Sequence, residues 1–176
     1  MGAAVKALAA PQVKRGVGQQ SGLLMKAKEQ QKVKELHSAK ADLRKLADYL
    51  QDLPRRKREL SARKDRGSTA LQRKIHESKI EAGQILNKAV ALGGFESKRG
   101  LRRVLTSRRR ENPDYGYSSA FEDICLKWIP KQPDGFDFMW KRKQVGEIDT
   151  YALALRYLAD CIVSEDSHKP KTPTGS

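Results

Sequence analysis

Aromatic side chains are almost missing from most of this chain. Only Tyr49 and Phe95 precede residue 111, and nine more follow it. A long stretch with so few large apolar rings has little from which to build a thick core. Cysteine is nearly absent too. Cys125 and Cys161 form no C-x-x-C pair and sit in apolar helical patterns, so they read as buried free thiols of a reducing, intracellular compartment rather than a disulfide framework. No run approaches the roughly 20 apolar residues of a membrane span, which leaves no transmembrane segment to expect. No period-2 run of β-branched residues appears either, and without one there is no strand to predict. The three histidines, His37, His76 and His168, have no partner at metal-ligand spacing. Gly16-x-Gly18 lacks the Gly-Lys-Ser/Thr of a phosphate loop, and Asp134 and Asp137 around Gly135 fall short of a calcium loop. Asp134 reads instead as a turn former and Asp137 as an ion-pair partner. Catalytic residues, metals and cofactors are therefore not expected: the sequence describes a non-enzyme.

What the chain does have is positive charge, unevenly placed. There are 36 Lys and Arg against 21 Asp and Glu in 176 residues, a net charge of +15. Residues 1–110 hold 28 basic and 10 acidic side chains, whereas 111–176 hold 8 and 11. A balance of this kind says little about fold and much about partners, because it favours polyanions. The first 28 residues carry no acid, the composition of a mitochondrial-type presequence. Scarce Arg and Ser, and the interruption by Pro11, favour a flexible basic tail over residues 1–20.

Beyond the tail, a helical pattern opens at Ser21 or Gly22 and is expected to stop at Pro54. In it Leu36, Ala39, Leu43, Leu46, Leu50 and Leu53 alternate by three and four, a seam of three heptads. Such a seam either dimerises as a coiled coil through Leu36, Leu43, Leu46, Leu50 and Leu53 or packs on its own chain. Pro54 can begin a second helix, one very polar and carrying Arg55, Arg56, Lys57, Arg58, Arg63, Lys64 and Arg66. After Gly67, a third helix places Leu71, Ile75, Ala82, Ile85, Leu86 and Ala89 on one face and ends at Gly93-Gly94, as a left-handed C-cap would.

The densest basic stretch follows. Lys98, Arg99, Arg102, Arg103, Arg108, Arg109 and Arg110 occur within thirteen residues with no acid among them, on a short helix whose apolar face is Leu101, Val104 and Leu105. Guanidinium groups present a planar fork of donors that matches phosphate oxygens. Tyr115 and Tyr117, in a turn, are candidates for stacking on bases. A third cluster, Lys141, Arg142 and Lys143, adjoins Trp140. Cations beside an aromatic suit single-stranded nucleic acid, but Phe136 and Phe138 nearby favour a core position for that indole.

The remaining elements are a helix from Ala120 to Trp128, opened by a Ser119-x-x-Glu122 capping box, and an amphipathic helix from Ile148 to Ile162. The expected fold is all-α: a basic helical arm over 21–110, a small aromatic-rich body over 111–163 able to fold alone, and a polar tail over 164–176. The function expected is that of a non-catalytic RNA-binding structural protein in a ribonucleoprotein assembly, of ribosomal type or a viral nucleocapsid or coat subunit. Its partners would be RNA and neighbouring subunits, in a cell or a virion. The alternatives are a scaffold that dimerises through the leucine seam and a DNA-binding regulator.

Overall fold

From Leu23 to Leu53 the chain contains neither Gly nor Pro and is dominated by Leu, Ala, Lys, Glu and Gln, the residues that lose least on entering a helix. The computed structural model describes the backbone of residues 17–62, 67–95, 98–106 and 115–163, with side chains placed for 23–55, 69–95, 100–102, 104–105 and 115–163. Its first element, α1, runs Val17–Ala62 and contains Pro54. The sequence-based stop at Pro54 is thus corrected, and the helix also starts before the expected Ser21. Leu53 is buried while Pro54 is exposed. Pro54 has no N–H to donate to the Leu50 carbonyl, so α1 continues past it with one intrahelical bond fewer.

Helix α2 spans Gly67–Ala91 and closes as its glycines foretell. Gly93 takes a φ of 78°, its N–H donates to the Val90 carbonyl at 3.0 Å, and Gly94 donates to Ala89 at 2.9 Å. That bond pattern, with a left-handed residue at the turn, is a Schellman motif. Helix α3 spans Lys98–Thr106, with Leu101 and Leu105 buried. Helix α4 spans Tyr117–Asp123 and passes without a break into a wider π-type turn at Ile124–Trp128 and a 3-10 turn at Ile129–Lys131. Helix α5 is Phe138–Val145, and α6 is Glu147–Asp160. Among the described residues no strand occurs, so the all-α expectation holds.

The capping box is a correction. The residue before α4 is Gly116, and no side chain caps the helix there. Ser119 lies inside α4, and Glu122 points instead to Tyr151 and Lys79. Asp137 is a second correction. Its Oδ1 accepts the Trp140 backbone N–H at 3.0 Å, so it caps α5 rather than pairing with a cation.

The largest revision concerns the arm. Leu36, Ala39, Leu43, Leu46, Leu50 and Leu53 are all buried, in one hydrophobic cluster with Ala82 and Leu86 of α2, Phe121 and Ile124 after it, and Tyr151, Leu155 and Leu158 of α6. The core thus crosses residue 111. Helices α1 and α6 run antiparallel, pinned by Arg44 to Asp160 and Arg156 to Asp48, both at 2.7 Å. Lys88 and Glu35, 3.2 Å apart, tie α2 to α1. The leucine seam is occupied by its own chain, and a body built from 111–163 alone would lack one wall of its core.

Candidate nucleic-acid interface

Helix α5 is the one basic cluster whose side chains are all described. Asp137 caps it, and Phe138 anchors it. That ring is buried, 5.4 Å from Tyr151 and 6.4 Å from Phe136 between centroids. A helix advances about 100° per residue, so Trp140, two positions on, points about 160° away from Phe138. It is accordingly 52% exposed. The expectation of a core indole is corrected, and the periodicity of α5 is the reason. The core tryptophan is Trp128, edge-on to Phe95 at 6.0 Å.

The cations of α5 are held to different degrees. Lys141 places its Nζ 4.9 Å from the Trp140 ring centroid, a cation–π contact. Arg142 reaches Glu147 at 3.2 Å. Glu147 is also 3.5 Å from Lys79, whose ammonium lies 2.7 Å from Glu122 and 4.4 Å from the centroid of Tyr151. The Tyr151 hydroxyl donates to Glu122 Oε1 at 2.9 Å. This network joins α2, α4, α5 and α6. Burial works to raise the Glu122 carboxyl, but the hydrogen bonds from Lys79 and Tyr151 and the ammonium charge outweigh it and hold the group below its ordinary value. Burial, and then the bond to Glu122, push the Tyr151 phenol up, which keeps it a neutral donor.

The other sequence-predicted residues are distributed as follows. Arg55 and Arg102 are exposed. Arg56, Lys57, Arg58, Lys98, Arg99 and Arg103 lie on α1 and α3, with side chains outside the described residues. Arg63, Lys64, Arg66, Arg108, Arg109 and Arg110 lie outside the described residues altogether. Tyr115 is half-buried, its hydroxyl 2.8 Å from Asp123 Oδ2 and 3.0 Å from the Val104 carbonyl oxygen, so it fastens α3 to α4 rather than standing open for stacking. Tyr117 is half-buried as well, and its backbone carbonyl lies against Gly83.

Other chemistry has little to build on. Cys125 is buried and Cys161 half-buried, both as free thiols, and burial pushes both up, away from a reactive thiolate. No group of three metal-ligating side chains occurs among the described residues. No described helix is long and apolar enough to cross a membrane. A groove of about 640 Å³ between α1 and α2 is lined by Asp42, Lys45, Tyr49, Lys74, Glu77 and Glu81. Its lysines already face its own acids, Lys74 to Glu77 at 2.7 Å and Lys45 to Asp42 at 3.6 Å, and with Glu81 as a third acid it offers no positive surface to a polyanion.

The acids follow a pattern. Glu29, Glu35, Asp42, Asp48, Glu77, Glu122, Asp123, Glu147 and Asp160 each meet a Lys or Arg from outside the three basic clusters. Arg142 of the third cluster joins them through Glu147. Comparison with protein-family models, with curated proteins and with solved structures gives no match.

Proposed function

We propose that this protein is a non-catalytic RNA-binding structural component of a ribonucleoprotein assembly, of ribosomal or nucleocapsid type, that holds the phosphate backbone through its Arg and Lys clusters. The observation that carries the reading is the division of labour among charges. Acids of the fold such as Glu122, Asp160 and Asp48 are engaged in ion pairs with Lys79, Arg44 and Arg156, while Arg55, Arg102 and Lys141–Lys143 stand at exposed or half-exposed positions. The chain carries a net charge of +15, and polyanions are the partners that such a balance attracts.

Two further features support a structural role. The polar network at Lys79 is directed inward, at Tyr151 and Glu122, and so serves the fold rather than a substrate. The leucine seam is filled by α2 and α6, which removes the main support for a scaffold that dimerises through Leu43 and Leu46. Phosphate contacts position rather than specify, so recognition would be of RNA shape and backbone. The test is fluorescence anisotropy of the full chain with single-stranded RNA, duplex RNA and duplex DNA across stepped salt. A preference for RNA with affinity falling steeply as salt rises is expected. Equal, weak binding to all three would overturn the reading, and a preference for duplex DNA would favour a DNA-binding regulator.

A further inference from the structure

Trp140 is a large apolar surface left in solvent on a well-fixed helix. We propose that α5 carries a stacking site for one unpaired base, with the Trp140 ring as the platform and Lys141 and Lys143 as flanking cations. This rests on the RNA-binding reading and narrows it to single-stranded or loop segments. Tryptophan normally buries most of its surface, as Trp128 does at 5% exposure against 52% for Trp140. The platform is rigid because Asp137 caps α5 and the Phe138 ring is locked into the core beneath it. One face of the indole carries the Lys141 ammonium at 4.9 Å from its centroid, so a base would stack on the opposite face. Lys143 follows Trp140 by three residues, on the same helical face, where it can meet the phosphate next to a stacked base. Ring-plus-cation surfaces of this kind bind single strands, because every base has a π-face and the backbone runs alongside. In a duplex the base faces are covered by their neighbours, so an internal pair offers nothing to the ring.

An anionic membrane is the competing occupant, and the order of residues on α5 disfavours it. Met139, Trp140 and Val145 are the exposed apolar residues, but at about 100° per residue they fall on three sides of the helix. Lys143 lies between Met139 and Trp140. No continuous apolar face exists to enter a bilayer.

The experiment uses the full chain, the Trp140→Ala and Trp140→Phe variants, and four probes: labelled oligouridine, an abasic ribose-phosphate strand of equal length, blunt duplex RNA, and vesicles of phosphatidylcholine with phosphatidylserine. Trp140→Ala is expected to weaken oligouridine binding about tenfold, to leave the abasic strand and the salt slope unchanged, and to be largely rescued by Trp140→Phe. Tryptophan fluorescence of the unaltered chain is expected to be quenched by oligouridine and not by the abasic strand, a readout that requires no variant. If the two strands bind equally well and neither quenches, the stacking site is overturned while the backbone reading stands. If Trp140→Ala weakens vesicle binding alone, the site is a membrane contact and the proposal fails. If no RNA binds at all, both readings fall together.

Discussion

Lys79 shows how a single cation can be spent on structure in a chain with a large excess of them. Its side chain is 13% exposed and contacts two carboxylates and a ring. Replacing it with Met would leave Glu122 half-buried with only the Tyr151 hydroxyl. Removing one partner of a buried pair costs several kcal/mol, and partial exposure reduces that, so Lys79→Met is expected to lower stability by about 2 kcal/mol in urea unfolding. Glu122→Gln is expected to cost about 1 kcal/mol at neutral pH, and the two changes together should cost less than their sum. A fully additive double variant would mean that the pair is not coupled. The pH dependence has a definite sign. Glu122 is held below its ordinary value of 4.5, so its contribution is present above that pH and is lost as pH falls through the lowered value. The gap between the natural chain and Glu122→Gln should therefore shrink on acidification below about 4.5. A gap that widens there would contradict the geometry.

At the scale of elements, the approach of α2 to α4 depends on one missing methyl group. A Cβ at Gly83 would sit 2.2 Å from the Tyr117 carbonyl oxygen and 2.8 Å from its Cβ. On an open helix Gly→Ala stabilises by about 0.5–1 kcal/mol. Here the sign should reverse, with Gly83→Ala destabilising by about 2 kcal/mol, while Ala at the exposed neighbour Gln84 stays within about 0.5 kcal/mol of the natural chain. Stabilisation by Gly83→Ala would refute the close crossing. The same contact explains why the Ser119-x-x-Glu122 motif misleads. The start of α4 is set by its packing on α2, and Glu122 is drawn to Lys79 across that interface. The stripe of α6, by contrast, was legible from Ile148 to Ile162, because seven apolar residues recurring at three and four define a face whatever covers it. Helix α5 was harder to read. Its aromatics cluster in sequence, and only once the segment is known to be helical do Phe138 and Trp140 separate to opposite sides.

At the scale of the whole molecule, the leucine seam, α2 and α6 share one core, which bears on both self-association and folding. If the seam were an intermolecular zipper, the melting temperature would climb with protein concentration. Packing within the chain predicts no such rise over a hundredfold range, and a clear rise would restore the zipper. The fragment 111–176, which composition alone suggested could fold by itself, is expected to show little helicity and no cooperative melt by circular dichroism, since Leu155 and Leu158 would lose the α1 wall they pack on. A cooperative melt of that fragment would show the shared core to be dispensable.

The sequence by itself determined the helical class, the free cysteines, the excess of positive charge and most apolar faces, because these follow from composition and from periodicities within one segment. Only the tertiary structure decided where those faces go. The leucines of α1 could satisfy their hydrophobic surface on a second copy or on α6 with equal local logic, and burial, being non-directional, records no preference in the pattern. The exposure of Trp140 and the inward turn of Glu122 likewise depend on what lies across from each residue, information that one segment of chain does not contain.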